Sequence, residues 1–190
     1  QNGDDCNEFV ALGLVDRSNT RIVNGSGVDL CHFTEPPVAT APQFLLCARL
    51  LKDKGIMEYV AAARTLKARY PHANFQLLGG SDSNPTAISQ KQVRQWQKEG
   101  IIEYLGETRD TRPYYAACSV YVLPSYREGL PRTVLEAMAM GRPIVTTDVP
   151  GCRETVVDGE NGFLVPVRDV SSLAEAMERF IREPELIPRM

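Results

Sequence analysis

The sequence lacks several patterns that would assign it to well-known functional classes. It contains no G-x-x-x-x-G-K-[ST] phosphate loop, no complete G-x-G-x-x-G dinucleotide fingerprint and no G-x-S-x-G nucleophile elbow. No D-x-D follows an apolar strand, and the two histidines, His32 and His72, have no acid or cysteine partner at a recognisable spacing. These absences argue against a P-loop NTPase, a nicotinamide or flavin enzyme, a serine hydrolase and a D-x-D metal site.

Cysteine pairs, long apolar runs and excess basic charge are also missing. The five cysteines are scattered and form no C-x-x-C pair, so we expect small buried thiols in a reducing, cytoplasmic setting. No run approaches the roughly 18 apolar residues of a membrane span, and the opening QNGDDCNEF is no signal peptide. The net charge of −3 gives no general attraction to nucleic acid, so any anion site must be local.

What the chain does contain is a regular alternation of apolar runs and amphipathic segments over 190 residues. The predicted strands are RIVNG from residue 21, FLLCARL from 44, NFQLLGG from 74, IIEYLG from 101, SVYVLPS from 119, RPIVTTD from 142 and GFLVPV from 162. The predicted helices cover residues 54–70, about 86–99, 111–117, 131–140, 152–157 and 170–182. This alternation predicts an α/β fold with a doubly wound, mostly parallel sheet flanked by helices. Ligands of such sheets bind in the loops after the strands.

Two cations flank the loop after the strand FLLCARL. Arg49 closes the strand and Lys54 opens the next helix, so both charges and the positive helix end can converge on a phosphate. A solvated turn with basic residues is the alternative interpretation.

A second anion cradle is predicted at the start of the helix in YREGLPRTVLEAMAMG, residues 126–141. Pro131 suits the first helical position, because its missing N–H costs nothing there. Leu130, Arg132 and Thr133 can then offer backbone donors at the helix start.

The same stretch contains two acids eight positions apart, Glu128 and Glu136. Glu128 precedes the helix, where it could be a simple dipole-stabilised cap. Glu136 lies among apolar residues and needs a partner to offset burial, so a salt-bridged core glutamate is the alternative there. Together with Arg49, Lys54 and the helix start, the two acids suit a sugar diphosphate.

These residues carry a clear family resemblance. Residues 127–166 resemble the C-terminal, donor-binding half of the family 4 retaining glycosyltransferases with the GT-B fold, whose E-x7-E signature falls on Glu128 and Glu136. ARLLKDKGI is similar to the family's basic loop, and IIEYLGETRDTRPYYAACSVYVLPS is similar to the segment before the acids. The resemblance covers nearly the whole chain.

The resemblance implies one set of roles at the sugar and the ribose. Glu128 would hold sugar-ring hydroxyls of the donor, with the amides of Gly129 and Leu130 close to the sugar and phosphate. Glu136 would hydrogen-bond the ribose of the nucleotide.

It implies a second set of roles at the phosphates and the base. Arg49 and Lys54 would bind the diphosphate and stabilise its developing charge in place of a metal ion, so no cofactor is expected. Thr133 would contact a phosphate, and the base would rest near Tyr104 and Leu105.

By the same resemblance, residues 1–190 are a single nucleotide-sugar-binding domain, without the N-terminal acceptor domain and the C-terminal crossover helices. The implied activity, in polysaccharide biosynthesis, is transfer from a UDP-sugar to a glycan or lipid-linked acceptor with retention of configuration. The full-length protein would be cytoplasmic and peripheral at a membrane, and the isolated chain would bind its donor without turnover.

Two alternatives are a nucleotide-sugar epimerase-like or phosphorylase-like enzyme and a non-catalytic module that binds nucleotide or protein partners. The module is favoured if Glu136 is salt-bridged in the core and Glu128 points into solvent away from Arg49.

Overall fold

A six-stranded, all-parallel sheet forms the centre of the protein. The computed structural model describes residues 2–23, 25–36 and 42–190. The strands are β1 (Gln43–Cys47), β2 (Asn74–Leu78), β3 (Glu103–Tyr104), β4 (Val120–Leu123), β5 (Ile144–Thr147) and β6 (Gly162–Val165). The helices are α1 (Gly3–Ala11), α2 (Ile56–Arg69), α3 (Gln90–Lys98), α4 (Arg112–Ala117), α5 (Arg132–Ala139) and α6 (Val170–Arg182). The predicted α/β fold class is confirmed.

Apolar layers cover both faces of the sheet. In β1, Phe44 and Leu46 join the layer that contains residues of α2, α3 and α6, whereas Leu45 and Cys47 join the layer that contains residues of α4 and α5. Successive side chains of a strand point to opposite faces, so a strand covered on both sides must be apolar at every position. This is why the strands appear in the sequence as continuous rather than alternating apolar runs.

The strand order is β3-β2-β1-β4-β5-β6. β1 lies between β2 and β4, and the chain builds the sheet outward from this pair in opposite directions. The loops after β1 and β4 therefore run to opposite faces and leave a crevice between them, where ligands of such folds bind.

The predicted strand RIVNG is wrong. Residues 21–23 and 25 belong to no strand, and residue 24 lies outside the described part of the chain. Ile22 and Val23 are 48% and 66% exposed. A strand needs a neighbour to satisfy its backbone groups, and no strand of the described sheet pairs with this segment.

The predicted helix over residues 152–157 is also wrong, since only a 3₁₀ turn forms at Arg153–Thr155. Side chains bind the flanking backbone groups in place of helical hydrogen bonds. Glu154 accepts from the Gly151 N–H at 2.7 Å, and Asn161 accepts from the Val157 N–H at 2.8 Å.

Candidate functional site

The loops that follow β1 and β4 are joined by hydrogen bonds. The Asp53 carbonyl accepts from the Tyr126 N–H at 2.9 Å and from the Ser125 hydroxyl at 3.1 Å. Gly55 has φ 69°, and a Cβ added to it would lie 2.0 Å from the Pro124 carbonyl oxygen. Only glycine permits this approach, so the two loops are held together at the crevice.

Lys54 and Glu128 form an ion pair across this junction. Lys54 Nζ lies 2.5 Å from Glu128 Oε1, and the two side chains are 20% and 14% exposed. The loop after β5 supports Glu128 from behind, because the Glu128 N–H donates to the Pro150 carbonyl at 3.1 Å. At Gly151 an added Cβ would lie 2.1 Å from the Glu128 carbonyl oxygen. Three loops therefore fix the position of this carboxylate.

Helix α5 begins next to the ion pair. Pro131 occupies the N-cap position, one residue before the predicted one, and its carbonyl accepts from the Val134 and Leu135 N–H groups. The first N–H groups of a helix have no acceptor within it. The N–H groups of Arg132 and Thr133 are therefore available to an anion near Glu128.

A cleft with a volume of about 180 Å³ opens at this point. Its charged lining residues are three cations and one carboxylate. The lining residues are Cys47, Ala48, Arg49, Lys54, Leu123, Glu128, Pro131, Arg132 and Thr133. The structure thus brings together four residues singled out in the sequence for the sugar and diphosphate, namely Arg49, Lys54, Glu128 and Thr133.

Arg49 has a partner that the sequence did not reveal. Its Nη1 lies 2.7 Å from Asp82 Oδ2, with the arginine side chain 67% exposed. The Asn84 backbone N–H and, more weakly, Arg49 lower the pKa of the Asp82 carboxyl, which therefore stays charged. Asp82 lies in the polar turn after β2, a neighbour of β1. The high exposure of Arg49 and its pairing with Asp82 agree with the solvated-turn interpretation, although Arg49 also lines the cleft.

Glu136 is buried in a hydrogen-bond network. Its Oε2 accepts from the Tyr115 hydroxyl at 3.1 Å and the Thr111 hydroxyl at 3.4 Å, and its Oε1 accepts from Arg132 Nε at 3.0 Å. Burial raises the pKa of Tyr115 far above its usual range, so this hydroxyl remains a donor. The core-glutamate alternative therefore describes the contacts of Glu136 well, and Glu136 does not line the cleft.

The remaining predicted residues lie around the cleft rather than in its lining. Tyr104 donates to the Gly79 carbonyl at 2.9 Å, and Leu105 follows β3, two strands away from β1. The Gly129 carbonyl accepts from the Asn2 side chain at 2.9 Å. Leu130 lines a separate cavity of about 560 Å³ on the side of the N-terminal segment.

The described residues contain neither a candidate membrane-spanning helix nor a cluster of metal ligands. None of the described helices combines the length and the apolar character needed to cross a membrane. In residues 2–23, 25–36 and 42–190 no three His, Cys, Asp or Glu side chains are grouped as metal ligands.

Comparison with known proteins identifies the family. The profile described as glycosyl transferases group 1 matches residues 41–183, most of the chain. The chain belongs to the glycosyl transferases group 1 family. Its parallel sheet matches the Rossmann-like half of a GT-B glycosyltransferase, so the resemblance noted in the sequence is confirmed.

Three similar proteins are each longer than this group 1 chain. The N,N'-diacetylbacillosaminyl-diphospho-undecaprenol alpha-1,3-N-acetylgalactosaminyltransferase of Campylobacter jejuni is 35% identical over 145 residues, covering 76% of this chain and 37% of that protein. Sucrose-phosphate synthase of Thermosynechococcus elongatus has a TM-score of 0.79 at 25% identity, covering 99% of this chain and 50% of that one. The Anabaena protein HepE in complex with UDP and glucose has a TM-score of 0.80 at 22% identity, covering 99% and 54%. The chain thus spans less than half of the curated relative's length.

Proposed function

We propose that this chain binds the nucleotide-diphosphate-sugar donor of a retaining glycosyltransferase, and that the nucleotide is UDP. The observation that carries the proposal is the Lys54–Glu128 pair in the cleft between the β1 and β4 loops. The two members of such a pair can bind different parts of one ligand. The cation binds the diphosphate, and the carboxylate accepts hydrogen bonds from the sugar hydroxyls. A separate domain would hold the glycan or lipid-linked acceptor.

The diphosphate would lie between the basic loop and the start of α5. Arg49 and Lys54 supply charge from one side, while the N–H groups at the start of α5 and the Thr133 hydroxyl supply donors from the other. Glu128 then reaches the sugar, and Glu136 the ribose.

The outer contacts of the donor lie beyond the lining of the cleft. The amides of Gly129 and Leu130 would adjoin the sugar and its phosphate, and the base would rest near Tyr104 and Leu105 at the same edge of the sheet. Gly129 is held for this by the Asn2 side chain on its carbonyl.

In the proposed reaction, the bond between the anomeric carbon and the diphosphate oxygen breaks while the acceptor oxygen bonds to the same face of that carbon. The acceptor's hydroxyl proton passes to the leaving diphosphate, and the products are a glycoside and UDP. Arg49 and Lys54 stabilise the charge that develops on the diphosphate as it leaves. The proposal assigns no metal ion or other cofactor.

Two similar proteins support the choice of ligands. HepE was solved with UDP and glucose, and the Campylobacter relative is named for a diphospho-undecaprenol acceptor. By analogy we propose a UDP-sugar donor and an acceptor of the glycan or lipid-linked class, used at a membrane surface.

Neither alternative is favoured. A non-catalytic module would combine a salt-bridged core Glu136 with a Glu128 in solvent. The first feature is present, but the Glu128 side chain is 14% exposed and paired with Lys54. An epimerase-like or phosphorylase-like enzyme would be expected to use a histidine or an acid in the cleft. Among the described residues no histidine lines the cleft, and its one acid, Glu128, is paired with Lys54.

Calorimetric titration of the 190-residue chain with UDP and UDP-sugars tests the donor, in parallel with GDP, ADP and dTDP. We expect weak UDP binding that EDTA does not change, and a melting temperature that rises with UDP concentration. A chain that binds none of these nucleotides would contradict the proposed function. We also expect no sugar transfer by this chain alone, and turnover with any acceptor would disprove that part.

A further inference from the structure

The side chain of Arg132 lines the cleft together with Arg49, Lys54 and Glu128, yet the roles above leave it unused. It is 66% exposed, and its Nε donates to Glu136 Oε1 at 3.0 Å. Its two terminal nitrogens make no hydrogen bond with any described residue. A guanidinium has five N–H donors, so most of the binding capacity of Arg132 is available to a ligand.

Local helix electrostatics do not account for this arginine. Arg132 is the first residue of α5, at the positive end of the helix dipole, where a cation is disfavoured. Its partner Glu136 follows it by four residues, which is the less favourable order for an ion pair on a helix. A residue that violates local preference at a cleft is a candidate for a functional contact.

Arg132, which lines the cleft, is hydrogen-bonded to Glu136, which does not. Glu136 Oε2 already accepts from Tyr115 and Thr111, whereas Oε1 accepts only from Arg132. The side chain of Glu136 is 10% exposed, and Arg132 Nε occupies Oε1. A ribose hydroxyl that approaches Oε1 therefore meets Arg132 Nε there.

We infer that Arg132 exchanges partners when the donor binds. Its guanidinium leaves Glu136 for the diphosphate, and a ribose hydroxyl replaces it as the donor to Glu136 Oε1. Arg132 is then a third phosphate-binding cation beside Arg49 and Lys54, and its departure admits the ribose. This inference rests on the proposed function, since it assumes a nucleoside diphosphate in the cleft.

Binding of UDP and of uridine separates the two parts of this exchange. In Arg132→Ala the phosphate contact is lost but the ribose site is open, so UDP affinity should fall and uridine affinity should hold or rise. We expect the ratio of UDP to uridine affinity to fall by about tenfold or more, the size of one charge-assisted hydrogen bond. Calorimetry measures UDP binding, and an NMR titration at millimolar concentration measures uridine binding.

Two further variants make the result specific. Arg132→Lys keeps the charge without the guanidinium fork, so it should recover part of the UDP affinity. Arg153→Ala removes the same charge from a residue paired with Asp148 outside the cleft lining, and it should leave the ratio unchanged. Circular dichroism melts confirm that each variant is folded.

Two other results of these titrations would count against the inference or the proposed function. An unchanged ratio in Arg132→Ala, or an equal change in Arg153→Ala, would overturn the inference and leave the proposed function standing. If the unsubstituted chain bound no UDP, the proposed function would fail and the inference with it.

Discussion

Lys54 and Glu128 place opposite charges where a diphosphate and a sugar would meet. Neither side chain is more than 20% exposed, so the pair is partly protected from water and its charges are less screened than those of a surface pair. A diphosphate that enters the cleft must attract Lys54 more strongly than Glu128 repels it. The ion pair therefore holds both side chains in position before a ligand arrives.

We predict that Lys54→Ala weakens UDP binding by about tenfold to a hundredfold, because it removes a charge-assisted bond and leaves Glu128 facing the phosphates. Lys52→Ala is the matched control, since Lys52 lies exposed in the 3₁₀ turn Lys52–Lys54 that also contains Lys54, and it does not line the cleft. Calorimetric titration gives both affinities. Equal losses in the two variants would show that general charge, rather than the position of Lys54, determines binding.

We predict that Glu136→Leu lowers the free energy of unfolding by about 1–3 kcal/mol, because the buried Tyr115 hydroxyl loses its acceptor. Adding Tyr115→Phe to this variant should restore part of the loss, since the buried Tyr115 hydroxyl that lost its acceptor is then absent. Urea denaturation measures all the variants. If the free energy of unfolding lost in the double variant equalled the sum of the losses in the two single variants, the described network would be contradicted.

The residue-level site could be predicted only where its chemistry is local in sequence. The sequence points to Glu128 and Lys54 because each stands in a loop that follows a buried strand. Asp82, Tyr115 and Thr111 were missed, because they reach the site from other elements and their own surroundings in sequence give no sign of it. The side chain of Arg132 has no separate signal in the sequence, because the pattern at a helix start indicates backbone donors.

Element by element, strands β1, β2, β4 and β5 were predictable because each is buried on both faces. The edge strand β3 is only two residues long and is not buried. The failures have two physical causes. Ile22 and Val23 are apolar but have no neighbouring strand among the described residues, and strand formation depends on pairing as much as on composition. Around Arg153–Thr155, side-chain caps satisfy the backbone before a full helical turn can form.

The junction of the β1 and β4 loops yields a prediction about glycine. Gly55→Ala should lower the free energy of unfolding by about 2–5 kcal/mol, from left-handed backbone strain and from the clash with the Pro124 carbonyl. Gly13→Ala is the matched control, because Gly13 has φ +67° and nothing within 4 Å of an added Cβ. Only the backbone strain, about 1–2 kcal/mol, is expected there.

Urea denaturation of both glycine variants isolates the cost of the close approach. Equal losses in the two would mean that the loops can separate freely. A smaller loss at Gly55 than at Gly13 would contradict the described geometry outright.

On the scale of the whole molecule, the charge that lines the cleft is opposite in sign to the net charge of the chain. The chain carries −3 overall, yet its cleft is lined by three cations and one carboxylate. Such a local positive field attracts an anionic ligand to one place and weakens as ionic strength rises. The acidic remainder leaves little general affinity for nucleic acid.

Buried thiols give the whole fold a pH dependence. Burial raises the pKa of Cys47 and Cys118 to about 12 and that of Cys152 to about 11, from an ordinary value near 9. Unfolded chains release these protons first, so the stability present below pH 9 is lost as pH rises toward 11 and 12. The loss is about 1.4 kcal/mol per pH unit for each thiol.

Urea denaturation under reducing conditions at pH 8 and pH 10 tests this prediction. We expect a lower free energy of unfolding at pH 10, and a smaller difference in Cys118→Ala. Equal stability at the two pH values would show that the thiols are not protected.

The hydrogen bonds from Asp53 to Tyr126 and Ser125 have a consequence for how the chain folds. They join the loop after β1 to the loop after β4. These two strands are far apart in sequence, since the contact between Gln43 and Ser119 spans 76 residues. Contacts at such separation form late, after the loop-closure entropy of the intervening chain has been overcome. Nucleotide affinity should therefore appear only at the last stage of refolding, and a bound nucleotide would slow the first separation of the sheet's two halves.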